Sequence, residues 1–159
     1  MRRLARLAAG GVAFFLLIAA IVLVRAVRLS RWRSSLGQVR AYAALAPDAP
    51  APGPPAPGPP APGNAPRARS IGRIVGQAAR WLPFPVKCLP RAVATQWLLR
   101  LLDSPSSLVI AVHAHDRAGE HAFHAWVESG DEIVIGHCER PKYRAIMAFD
   151  QPPEMPARA

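Results

Sequence analysis

A mixed α+β fold is predicted, built as two helices followed by antiparallel strands in the second half of a 159-residue chain. Three observations predict it. Apolar residues recur at helical spacing in "IGRIVGQAARWLPF" and "KCLPRAVATQWLLRLL". The segments "SSLVIAVHAH", "HAFHAWVE" and "EIVIGH" are short, rich in β-branched and aromatic residues, and bounded by turn residues. Ten of the eighteen prolines fall between Pro47 and Pro66, so that stretch cannot contribute to a core.

The first segment, residues 1–45, is apolar and basic. Leu7 to Val24 is eighteen residues without a charge, a helix of about 27 Å against a bilayer core of ~30 Å. Three arginines precede it, and Arg25, Arg28, Arg31 and Arg33 follow, a bias that keeps the following chain on the cytoplasmic side. A single transmembrane helix and a helix lying on a membrane or partner both fit. A cleaved signal peptide fits poorly, because no small-residue cleavage site follows the apolar run. The expectation is a cytoplasmic catalytic domain attached to the cell (inner) membrane by residues 7–24, with membrane lipid as a partner. Deleting residues 1–35 is then expected to release a soluble remainder.

Charge supports this division. Residues 1–80 carry twelve arginines and one acid, Asp48, whereas residues 81–159 carry eight basic and nine acidic residues. The formal charge of +10 therefore belongs to the N-terminal half and suits an anionic surface. The basic segment has no interleaved aromatics and no nucleic-acid motif, so nucleic acid is not an expected partner.

Residues 46–69 repeat the block APGPP and are expected to be an extended, disordered spacer. Residues 70–150 are expected to form the folded domain, and residues 151–159 a disordered tail. Ile71, Ile74, Val75 and Ala78 mark a first helix that Pro83 ends. A second helix runs from about Leu89 to Leu102, with Val93, Trp97, Leu98, Leu101 and Leu102 on its apolar side. Pro90 suits its first turn, where the missing N–H would have had no partner. Three strands follow, the last two joined across "SGD" as a hairpin. A domain of about eighty residues is small enough for its stability to be marginal.

Cys88 stands out from this framework. It precedes the first turn of the second helix, where free N–H groups and the positive dipole end favour an anion. Lys87 and Arg91 flank it, and cationic surroundings favour a thiolate, the nucleophilic form of cysteine. A nucleophile of this kind needs a base. All five histidines, His113, His115, His121, His124 and His137, lie within the following strands. Strand alternation puts His124, Trp126 and Glu128 on one face and His121, Phe123, Ala125 and Val127 on the other. A helix-start cysteine followed by a strand-borne histidine is the arrangement that papain-like and transglutaminase-like thiol enzymes use.

"LPF…CLPRA" at Leu82–Ala92 and "FHAWVE" at Phe123–Glu128, in this order and spacing, resemble the protease component of lasso-peptide maturation. That is the transglutaminase-like family of the microcin-processing proteins, and the resemblance spans residues 71–147. It implies a small transglutaminase/papain-like core and a cysteine protease that removes the leader from a ribosomally made precursor peptide. It further implies a small leader-recognition protein and an asparagine-synthetase-like, ATP-dependent cyclase as partners, and no cofactor. Carried over by residue, Cys88 is the nucleophile and His124 the base; beside this, Lys87 and Arg91 support the site by their charge and Trp126 as core or pocket wall.

The family's third triad member is an aspartate on the strand paired with the histidine strand. If Ser129–Asp131 form a three-residue turn, Glu128 pairs with Glu132 and His124 faces Gly136; a two-residue turn makes the partner His137. Neither is a carboxylate. A dyad, an orienting backbone carbonyl, Glu139 as orienter and an impaired enzyme all remain open. So does a binding scaffold of the same fold that presents the precursor to the cyclase, or a membrane-anchored structural protein. Two further alternatives concern the thiols and histidines. His113, His115, His137 and Cys138 as zinc ligands lack a recognised spacing, and no metal is expected. A Cys88–Cys138 disulfide needs an oxidising compartment.

Overall fold

The computed structural model of the chain describes residues 2–41, 64–115, 119 and 122–151. Helix α1 is Arg2–Ala26, followed by a short helix α2, Leu29–Trp32, and a 3-10 turn, Arg33–Leu36. Strand β1 is Gln38–Ala41, and two helices come next, α3 (Asn64–Arg80) and α4 (Cys88–Leu101). The remaining strands are β2 (Ser106–His113), β3 (Phe123–Ser129), β4 (Glu132–Ile135) and β5 (Tyr143–Gln151).

All five strands pair antiparallel in the order β1-β5-β2-β3-β4. Helices α3 and α4 pack on one face of this sheet, and α1 packs on α3 and α4. The core between them joins Leu17 of α1, Val75 of α3, Leu99 of α4, and Leu108, Val127 and Phe149 of the sheet, all fully buried. Each such aliphatic side chain contributes about 1.5–3 kcal/mol relative to an exposed one.

The expected division into an N-terminal anchor and a separate domain from residue 70 is therefore corrected. Ala13, Leu17, Ala20 and Ile21 of α1 share one core with α3 and α4. No helix among the described residues is long and apolar enough to cross a membrane, so the transmembrane helix is not supported. An uncharged helix suits a protein core as well as a bilayer, which is why composition alone suggested the bilayer. The segment after α1 is also tied into the domain. Gln96, fully buried, donates from Nε2 to the carbonyls of Leu36 (3.0 Å) and Phe149 (3.1 Å), and accepts from the Ser106 hydroxyl. Trp97 donates to Ser35 Oγ at 3.0 Å, with its ring edge-to-face against Trp32.

Helix α3 starts earlier than its apolar spacing suggested, so residues 64–69, expected as the end of the spacer, are helical. It ends at Arg80, just before Pro83. Gly72 is where α3 meets β4, since a Cβ there would collide with the Val134 carbonyl. Arg69 forks onto Glu132 at 2.6 and 2.7 Å, pinning the same two elements at the surface. The remainder of the proline-rich spacer and residues 152–159 lie outside the described residues, whereas Gln151 ends β5.

The three expected strands are present, but the sheet has five. Strand β5 pairs with both β1 and β2, so the order is not simply two helices followed by three strands. The β3–β4 turn has two residues, Gly130 and Asp131, because Ser129 pairs with Glu132. A register shift between Val127 and Glu128 then moves β4 by one further position.

Candidate active site

Cys88 is the first residue of α4, and Lys87 is the N-cap, in extended backbone (φ −65°, ψ 165°). Lys87 makes no side-chain cap, so the N–H groups of the first turn are not taken by it. Pro90 is buried within that turn, as its missing N–H allows. Cys88 is half-buried at the edge of the main core and is not in a disulfide. Lys87 is exposed, while Arg91 is half-buried with an Nε–H that has no hydrogen-bond partner among the described residues.

On β3 the alternation holds. Ala125 and Val127 face the helices, and Trp126 faces the other side, where it shares a small second core with Val109, Ala111 and Ala148. His124 is half-buried on this outer face, its ring 5.2 Å from that of Tyr143 and 6.1 Å from that of Trp126. Its Nε2 lies 3.0 Å from the carbonyl oxygen of Gly136. A carbonyl can only accept, so Nε2 carries the proton and Nδ1 keeps its lone pair. The imidazole is thus held in the tautomer that leaves Nδ1 as the basic atom.

Gly136 is a glycine for a physical reason. Its φ is +76°, and a Cβ there would sit 2.6 Å from the Ala125 carbonyl oxygen and 3.0 Å from Trp126 Cα. The backbone turns sharply as β4 ends, and this turn accompanies the carbonyl that meets His124. Of the orienting groups the sequence left open, the carbonyl is the one in contact. Glu139 is exposed and paired with Lys142 at 2.8 Å, and the Asp131 side chain is exposed in the hairpin turn. His137 is exposed as well.

From Gly136 the chain crosses the outer face of the sheet to reach β5. This crossover is pinned by Glu128, whose buried carboxylate accepts from Trp126 Nε1 (2.6 Å) and Arg140 Nε (2.8 Å). Arg140 also donates to the Asp131 carbonyl at 2.9 Å. Cys138, within the crossover, packs against the small second core, and burial pushes its thiol up to about 11, with Arg140 opposing the rise and the Glu128 charge adding to it. Tyr143, at the start of β5, is raised as well, first by burial and then by the charges of Cys138 and Cys88. The Tyr143 ring lies against that of His124, tilted by 31°.

Sequence reasoning did not find Tyr143, which reaches His124 only through the crossover. It also passed over the Glu128–Arg140 pair, although alternation had put Glu128 on the His124 face. The rings of His113 and His115 meet edge-to-face, and so do those of His113 and Tyr143. Among the described residues no group of three or more His, Cys, Asp or Glu side chains could hold a metal. His121 lies outside the described residues, and Cys88 and Cys138 are both free thiols.

Residues 20–148 match the Transglutaminase-like superfamily. The chain belongs to this superfamily. The match begins at Ala20, inside α1, in keeping with the packing of that helix in the core. The transglutaminase-like superfamily generally comprises cysteine peptidases and transglutaminases, so the fold is of the cysteine-protease type. Comparison with curated proteins and with solved structures gives no significant match.

Proposed function

We propose that this transglutaminase-like protein is a cysteine peptidase of lasso-peptide biosynthesis that cuts the leader from a ribosomally made precursor peptide. The hydrogen bond from His124 Nε2 to the Gly136 carbonyl carries the reading, because it leaves a basic Nδ1 on the histidine of the "FHAWVE" motif. Cys88 at the uncapped start of α4 is the nucleophile. For this reaction the Cys88 proton must reach His124 Nδ1 as Sγ attacks the scissile carbonyl. The tetrahedral oxyanion is met by first-turn N–H groups of α4. Collapse expels the leaving amine with the proton from His124, leaving an acyl-thioester on Cys88. Water then attacks, giving its proton to His124, and the thiolate leaves with the second product released as an acid.

Lasso-peptide biosynthesis is supported by "LPF…CLPRA" and "FHAWVE" in their order and spacing, together with membership of the superfamily. In this reading the precursor arrives with a leader-recognition protein, and the released core passes to an asparagine-synthetase-like cyclase. A second reading is a scaffold of the same fold that presents the precursor to the cyclase. It is favoured by the neutral carbonyl at His124, which orients the ring but supplies no charge to stabilise an imidazolium.

Incubating the full-length protein with precursor and recognition protein decides between them. Mass spectrometry is expected to find separated leader and core with the natural protein and intact precursor with Cys88→Ala or His124→Ala. The peptidase reading fails if Cys88→Ala cuts at the natural rate. It yields to the scaffold reading if the natural protein binds the precursor without cutting it.

A further inference from the structure

Helix α1 is apolar on two opposite sides. Its inner side carries Ala13, Leu17, Ala20 and Ile21 into the core. Val12, Phe15 and Val22 are exposed by 47, 75 and 56 %. At about 100° per residue, these two sets lie on opposing flanks of the helix. Ala19 continues the outer strip, and no polar side chain interrupts it between Val12 and Val22. A helix that is apolar all round is ordinarily covered on all sides, and here one side has no cover among the described residues.

The strip leads into a basic collar. Arg25, Arg28, Arg31 and Arg33 are all exposed, and among the described residues none of them pairs with a carboxylate. The only acid in the first eighty residues is Asp48. A second copy brought against this surface would present the same sign of charge. A bilayer with anionic headgroups offers both complements, an acyl boundary for the strip and phosphates for the guanidinium groups.

We infer that the outer side of α1, with Arg25, Arg28, Arg31 and Arg33, docks the domain onto the surface of an anionic bilayer. The helix lies in the plane of the interface and keeps its inner side in the core, so docking requires neither a span nor unfolding. The proposal is independent of the peptidase reading.

Sedimentation of the full-length protein with vesicles tests it. Binding is expected to vesicles containing phosphatidylglycerol, to be much weaker with phosphatidylcholine alone, and to fall as salt is raised. Replacing the four arginines by glutamine is expected to weaken partition by roughly fivefold per arginine. The double variant Phe15→Ser, Val22→Ser should also release the protein, and because both positions are exposed, its melting temperature should stay at the natural value. Equal binding to neutral and anionic vesicles overturns the proposal, as does undiminished binding by either variant. So does vesicle-free dimerisation that Phe15→Ser abolishes, since a second copy would then be the occupant.

Discussion

The Nε2–H of His124 points at the carbonyl oxygen of Gly136 across 3.0 Å, and that oxygen is presented by a residue whose φ is +76°. The group that meets this nitrogen is a backbone dipole and not a side-chain carboxylate. The dipole fixes the ring and its tautomer as a carboxylate would, but it brings no full negative charge.

Gly136→Ala tests how much depends on that turn. The added methyl meets the Ala125 carbonyl oxygen at 2.6 Å in left-handed backbone, so the variant should lose about 1–3 kcal/mol of stability. Relief of the strain moves the carbonyl away from His124, and cleavage should fall further than stability alone explains. Thermal melts and cleavage rates on one preparation check this. An unchanged melt would show that the turn is not strained by a side chain.

Glu128→Gln addresses the crossover. The buried carboxylate holds Arg140 and Trp126 Nε1, and the amide keeps the indole contact while losing the charge that pairs with Arg140. A loss of about 1–3 kcal/mol is expected in denaturant unfolding. Cleavage should slow as well, because Tyr143 and Gly136 lie at the two ends of the segment that Arg140 pins.

Cys138 should be a slow thiol. With its pKa at about 11, roughly one thiol in a thousand is ionised at pH 8, and iodoacetamide should modify Cys138 only slowly until the pH approaches that value. Peptide mapping of the alkylated protein reads this directly. The raised value also has a sign for stability. An unfolded thiol titrates near ~8.5, so the stabilisation is complete below that range and is lost as pH rises through about 11. Melts of Cys138→Ala should therefore decline less over this alkaline window than those of the natural protein.

Removing residues 1–35 is expected to destabilise the protein rather than free a soluble remainder. The deletion strips Leu17, Ala20, Ile21 and Trp32 from the core and takes Ser35 from Trp97. The product should lack a cooperative melt. A sharp transition near the natural temperature would show that α3, α4 and the sheet stand alone.

Legibility followed local pattern. Helix α4 was readable from its helical apolar spacing, and strands β2, β3 and β4 from short runs rich in β-branched and aromatic residues bounded by turn residues; Cys88 and His124 came with them. Strand β5 was missed because "YRAIMAFDQ" does not alternate; it is mostly half-buried and carries a register shift opposite Ile110 and Ala111. Strand β1, QVRA, carries a single large apolar residue, Val39, which makes no pattern. Helix α1 was recognised as apolar, but its cover was assigned to lipid, since nothing in an uncharged run distinguishes one buried side from two. The group that orients His124 is a main-chain oxygen, which no inventory of side chains contains. Gly136 at the end of a strand was its only sequence mark.

The place of β5 has a consequence for how the chain is made. It is the last element among the described residues, yet it lies inside the sheet between β1 and β2. A nascent chain paused before Tyr143 leaves β1 with no neighbour and β2 with one open edge. Tyr143, which stacks on the histidine, is also still unmade. The outer face around His124 is therefore completed only once β5 has been made, and a ribosome-bound fragment lacking this strand holds Cys88 and His124 without Tyr143.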